Sequence, residues 1–202
     1  MRGPGPVTAL LGRVFATDTR CIWVLMAGSV VLVRFYFARG GVSWAGDGSL
    51  HLTYAALAAR AIADGDLPIW TNYFAAGSPF LQFYGFLFFY VVGILELLVG
   101  NLNLSVKIVL AAGHVLSGVT MFAFLRVALR SRPAAFVGGL GFVLNFWHTQ
   151  HVLIMGRLPL SLFYACLPLP FYFFERARVP GRVAPSVALG AMALAGLIFI
   201  HP

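Results

Sequence analysis

The chain has 202 residues, 60% of them hydrophobic and only 10% charged, with a mean hydropathy of +0.90. Soluble domains carry roughly a quarter of their residues as charges, so this composition excludes an ordinary soluble domain. It predicts an all-α, polytopic transmembrane protein embedded in a lipid bilayer. The net charge of +8 comes from arginines gathered in short clusters between apolar runs. That is the pattern of cytoplasmic loops, and it lacks the continuous basic stripe that tracks phosphates, so no nucleic-acid partner is expected.

In chain order, residues 1–20 are short, Gly/Pro-containing and basic through Arg2, Arg13 and Arg20, and predict a cytoplasmic tail. Residues 21–202 then form the membrane domain. The first span covers 21–38; no small-x-small cleavage pattern follows it, so it stays as an anchor. Arg34 lies one turn from its far end, where a guanidinium can snorkel to the interface. Cys21 and Cys166 lie in or beside apolar runs without CxxC spacing and read as inert buried thiols.

The span opens into a polar break, Trp44-Ala45-Gly46-Asp47-Gly48-Ser49-Leu50-His51. Asp47 is the only acidic residue between Asp18 and Asp64, and His51 follows it four residues on. Residues 49–63 predict an amphipathic surface helix, with an apolar stripe of Leu50, Tyr54, Leu57 and Ala61. Its next face carries His51, Ala55, Ala58 and Ile62. Asp47 or Ser49 can cap its start, and Asp64-Gly65-Asp66-Leu67-Pro68 stops it. Trp70, Tyr73 and Phe74 suit the headgroup layer.

Apolar runs follow at 80–99, 105–125, 134–155, 158–174 and 184–200. The loop charges decide which of them cross. If 80–99 crossed, the clusters Arg126, Arg130, Arg132 and Arg176, Arg178, Arg182 would face outward. Without a net crossing there, both clusters join the basic tail inside, as the positive-inside rule demands. Residues 80–99 are therefore expected to be a re-entrant or juxtamembrane segment within an outer loop spanning 39–104. The remaining four runs and 21–38 are the spans, and the N-terminus is cytoplasmic. This arrangement puts Asp47, His51, Asp64, Asp66, His148, His151, Arg157 and His201 on the outer side. The chain finishes at Ile198-Phe199-Ile200-His201-Pro202, directly out of an apolar run, which predicts the N-terminal part of a longer polytopic protein.

The order Gly46-Asp47-Gly48, His51-Leu52, Ile62-Ala63-Asp64-Gly65-Asp66-Leu67-Pro68-Ile69-Trp70, Gly77-Ser78-Pro79 and Gln82-Phe83-Tyr84 resembles the YfhO-like and 6-pyruvoyl-tetrahydropterin-synthase-related bacterial membrane proteins. These in turn look like GT-C-type glycosyltransferases. The likeness covers roughly residues 20–202. It implies a GT-C-like fold in the bacterial inner membrane, a polyprenyl-phosphate-linked sugar as donor, and a glycan, lipid or protein acceptor on the outer face. By that likeness Asp47 takes the place of the first-loop catalytic acid. The chain departs from the pattern in the next outer loop, where Asn145 to Arg157 contains no Asp or Glu. A divalent metal shared between two acidic loops is therefore not expected, and no cofactor is implied.

The chemistry that this reading asks for suits the residues. Transfer of a sugar to a hydroxyl needs a group to take the hydroxyl proton, and the Asp47 carboxylate can do so; alternatively Asp47 only caps the following helix. Arg157, a lone cation between two apolar runs, matches a phosphate bidentately and would stabilise a departing polyprenyl phosphate, or else snorkels to lipid headgroups. His51 can orient Asp47 or touch phosphate, or be an interfacial polar residue. His148 and His151, three apart, share a face; without a third ligand they suit hydrogen bonds to lipid or donor phosphate better than a metal. Glu96 is an intramembrane candidate or a partner for Lys107, and His114 reads as a packing histidine. Two rival functions remain: a lipid or glycan transporter, and a degenerate GT-C scaffold that assists envelope assembly.

Overall fold

The computed structural model describes residues 5–38, 46–66, 70–72, 77–80 and 84–201. Helix α1 (Pro6–Val14) opens on a proline, whose missing N–H is not needed at that position, and α2 (Asp18–Ala38) leaves it at a bend of 103°. Helix α3 (Gly48–Ala63) ends where Gly65 takes a φ of +72°; the Gly65 and Asp66 N–H groups close back on Ile62 and Ala61. A two-residue antiparallel ladder pairs β1 (Trp70–Thr71) with β2 (Ser78–Pro79).

Helix α4 (Leu87–Val99) follows, and then α5 (Leu102–Leu129), whose start is capped by the Asn101 side-chain Oδ1 accepting from the Leu104 N–H at 3.0 Å. Ser131 caps α6 (Arg132–Val143), and Asn145 caps the short α7 (Phe146–Thr149) that runs into a π-helical turn over Gln150–Ile154. Helices α8 (Leu160–Cys166), α9 (Pro168–Ala177) and α10 (Val183–Ile200) complete the chain. Helices α5 and α10 are each long and apolar enough to cross a membrane, and the bent α1–α2 pair makes a third candidate. The described residues are almost wholly helical, with two or three candidate spans among them. Helix α4 has 13 residues, about 20 Å of helix against a hydrocarbon core of about 30 Å.

Helix α5 is the centre of the bundle, packing on α2, α4, α6, α8 and α9. Small residues let its neighbours come close, as apolar surroundings require when no hydrophobic effect drives helices together. A Cβ on Gly113 would lie 2.7 Å from the Ser161 carbonyl oxygen of α8, and one on Gly139 of α6 would lie 3.0 Å from that of Gly118. One core gathers Ala55, Ala58, Phe88, Phe89, Val92 and Leu110 between α3, α4 and α5; a smaller one holds Cys21, Leu25, Phe122 and Ala135. Both cysteines are reduced, Cys21 buried and Cys166 partly so.

At one end of the bundle Asp18 receives Arg126 Nε at 3.0 Å and Arg132 Nε at 2.6 Å, while Arg132 also reaches the Ala16 carbonyl. The start of α2 and the end of α5 therefore meet, and the two helices run antiparallel.

The structure differs from the sequence reading in three places. The deepest face of α3 is His51, Leu52, Ala55, Ala58 and Ala59, while Leu50 is 37% exposed. Alanines win this face because they let α4 approach: a Cβ on Gly93 would stand 3.0 Å from the Ala59 nitrogen. The run 134–155 is not one helix, since Asn145 ends α6 and caps α7 with its own side chain. The run 158–174 is divided at Leu167, ahead of Pro168, whose ring cannot continue the hydrogen-bond ladder.

Candidate functional site

Four segments converge at the start of α3. The Gly46-Asp47 turn lies directly on the Met155 carbonyl: Gly46 has a φ of +56°, and a Cβ there would collide with that oxygen. Only glycine meets both demands, so the turn and the Met155–Leu158 loop are seated on each other. Gly85 makes an equally close approach to the Ile200 carbonyl and the His201 nitrogen, bringing in the end of α10.

Asp47 is exposed, and its side chain makes no capping hydrogen bond to α3. Its backbone carbonyl instead accepts from the His51 N–H at 2.9 Å. His51, 1% exposed, sits one turn further in and ties two of the four segments together. Its Nδ1 lies 3.0 Å from the Gly156 carbonyl oxygen and its Nε2 lies 2.9 Å from the Tyr84 hydroxyl. A carbonyl can only accept, so Nδ1 carries the hydrogen and Nε2 accepts the Tyr84 O–H. The Leu158 N–H approaches Nδ1 at the longer distance of 3.4 Å, which is the weaker claim on that atom.

This tautomer leaves the Tyr84 oxygen with lone pairs directed away from His51. Burial pushes the Tyr84 phenol up, the Asp47 carboxylate adds to that, and Arg157 pulls it back. Burial likewise pushes the His51 pKa down, against the Gly156 hydrogen bond and the Asp47 charge. Asp47 and Arg157 thus both lie within electrostatic reach of the Tyr84 hydroxyl. Arg157 is exposed, and its N–H is anchored on the His151 carbonyl at 3.0 Å. The His201 ring stands 6.0 Å from that of Tyr84 and 6.1 Å from that of Phe163. The rim so formed presents a carboxylate, a phenol and a guanidinium over a buried imidazole.

Of the residues singled out by sequence, Asp47, His51, Arg157 and His201 are brought together around Tyr84. His151 lies beside them, its Nδ1 at 3.3 Å from the Tyr164 hydroxyl and its ring 5.2 Å from Trp147. His148 belongs to a deeper layer. It is 2% exposed, its Nδ1 bonds the Phe142 carbonyl, and its ring lies 4.7 Å from His114 and 4.4 Å from Tyr164. Both ring nitrogens of His114 and Nε2 of His148 are buried without a hydrogen-bond partner, so these two histidines are not at the rim. Among the described residues no three His, Cys, Asp or Glu side chains are grouped to hold a metal ion.

Tyr84 was not picked out as a site residue from the sequence, although it stands inside the Gln82-Phe83-Tyr84 motif. Aromatic residues crowd that region, and nothing in their spacing distinguishes the one whose hydroxyl meets His51. Comparison of the chain with protein-family models, with curated proteins and with solved structures returns no match.

Proposed function

We propose that the protein is a GT-C-like membrane glycosyltransferase that moves a sugar from a polyprenyl-phosphate donor to an acceptor on the outer face of a bacterial inner membrane. The observation that carries this reading is Asp47: an exposed carboxylate on a fixed turn that does not cap the helix it precedes. A residue kept for capping would spend its oxygen on the α3 N–H groups. Asp47 leaves it at the rim, beside Tyr84 and within the same charge field as Arg157.

In the proposed reaction the acceptor hydroxyl gives its proton to the Asp47 carboxylate as its oxygen attacks the anomeric carbon. The bond from that carbon to the phosphate oxygen breaks, and the Arg157 guanidinium takes up the charge on the departing polyprenyl phosphate. His51 holds the Arg157 loop through Gly156, and His201, His151 and His148 stand behind as secondary polar groups. The meeting of Asp18 with Arg126 and Arg132 gathers basic residues at one end of the bundle, and the positive-inside rule makes that end the cytoplasmic one in this reading.

The test is complementation of an envelope-glycan defect by the complete gene carrying Asp47→Asn, in a strain lacking its own copy. Asn keeps the size of the side chain and no cap is lost, so the protein should accumulate normally. Transfer should fall by roughly 10²- to 10⁴-fold, the usual contribution of a general base. Full complementation would overturn the assignment.

A further inference from the structure

Helices α3 and α4 come closest where Gly93 stands against the Ala59 backbone. Arg60 and Glu96 follow that contact on their two helices, and both line a recess of about 250 Å³ that reaches Leu102, the first residue of α5. A second recess, of about 360 Å³, adjoins it through Arg60 and Leu102 and extends to Asn103. Arg60 is exposed and Glu96 half-buried. Among the described residues neither side chain makes an ion pair or a hydrogen bond, although the two share one recess.

We propose that this double recess binds the headgroup of a phosphoethanolamine lipid, with its phosphate on Arg60 and its ammonium on Glu96. Two features favour a phosphate at the Arg60 side. A guanidinium pairs with phosphate oxygens through two parallel hydrogen bonds. The Leu102 and Asn103 N–H groups, at the positive end of the α5 dipole, have no intrahelical acceptor, and the Asn101 cap takes only the Leu104 N–H.

Two features likewise favour a cation at the Glu96 side. Glu96 is a carboxylate in the last turn of α4, where the helix dipole is already negative and a positive charge is stabilised. The recess thus lies between the negative end of one helix and the positive end of the next. An anionic lipid would satisfy Arg60 and bring its charge up against Glu96; a lipid carrying both charges satisfies both. The level agrees as well. Helix α5 is a candidate span of 28 residues, about 42 Å long against a hydrocarbon core of about 30 Å, so its first turn reaches the headgroup layer. The proposal needs α5 to span a membrane and is independent of any sugar transfer at Asp47.

The experiment is native mass spectrometry of the purified protein equilibrated in mixed micelles with equimolar phosphatidylethanolamine and phosphatidylglycerol of matched chains. Phosphatidylethanolamine should be retained about fivefold over phosphatidylglycerol, the upper end of what one partly exposed charge pair supplies. Glu96→Gln should bring that ratio to about one through loss of phosphatidylethanolamine. Arg60→Gln should lower retention of both lipids, since both carry the phosphate. Neither side chain holds another in place, so these variants should fold as the parent does. Equal retention of the two lipids by the unaltered protein, a ratio unchanged in Glu96→Gln, or undiminished retention in Arg60→Gln would each overturn the proposal. So would a rise in retention of both lipids in Glu96→Gln, which would mean that Arg60 and Glu96 neutralise each other. Because the readout is bound lipid, its result is separate from that of the Asp47→Asn complementation.

Discussion

His51 shows how one side chain can hold a site that it does not itself expose. Its Nδ1–H is spent on Gly156 and its Nε2 on the Tyr84 hydroxyl, so the neutral ring is the form the fold accepts. A second proton would displace the Tyr84 donor from Nε2 and place a charge in a buried position. Burial holds its pKa below the ordinary histidine value, with the Gly156 bond and Asp47 opposing. The unfolded chain therefore binds a proton near pH ~6.5 while the folded one resists it. Stability should be level above that pH and should fall as the pH drops from ~6.5 towards the folded pKa. Thermal unfolding in detergent, followed from about pH 7.5 to 5.5, should lose midpoint over this interval. In His51→Gln the midpoint should be lower at the start and its fall over that interval shallower; an unchanged slope would show that another group titrates. Tyr84→Phe should cost about 1–3 kcal/mol without altering the direction of the slope, since it strips Nε2 of its donor and leaves the imidazole buried.

Helices were legible from the sequence to the extent that hydropathy spoke for them. Helix α5 was legible as an unbroken apolar run over 105–125, whereas the Asn101 cap that sets its start at Leu102 appears only in the structure. Helix α3 was legible in its bounds but not in its buried face. Periodicity ranks leucine and tyrosine above alanine, whereas close approach to α4 favours the alanine side. The break at Asn145 was hidden because a hydropathy run counts apolar residues and is blind to one amide that finds a better bond in starting a new helix. The same blindness conceals close contacts, which depend on glycines facing particular backbone atoms. Gly113 and Gly141 make the contrast measurable. Both are helical glycines, but a Cβ at 113 meets the Ser161 carbonyl at 2.7 Å, and one at 141 meets nothing within 4 Å. Gly113→Ala should destabilise by about 1–3 kcal/mol, because α8 must move off α5. Gly141→Ala should be neutral or should stabilise by up to ~1 kcal/mol, through helix propensity alone. Thermal midpoints of the two variants in one detergent check this, and equal shifts would remove the α5–α8 contact as the cause.

At the scale of the whole molecule, charge and packing make one argument. The arginines at 126 and 132 are both drawn to Asp18, the acid at the head of α2. That cluster fixes the start of α2 and the end of α5 at one end of the bundle. Ala38 and Leu102 therefore both lie towards the opposite end of the bundle. The site was legible in the sequence only in part: charge parity grouped Asp47, His51 and Arg157, which the structure does bring near one another, but it could not give the 2.9 Å bond that centres them on Tyr84. Sidedness is open to direct measurement. On a background with Cys21 and Cys166 replaced by alanine, single cysteines at the exposed positions 64 and 130 should label from opposite sides of the membrane. Asp64→Cys should react with a membrane-impermeant maleimide in intact spheroplasts, and Arg130→Cys only after the membrane is opened. Labelling of both in intact spheroplasts would mean that 80–99 crosses after all. The Asp18 cluster would then have to form across a hydrocarbon core about 30 Å thick, a distance that no pair of side chains bridges.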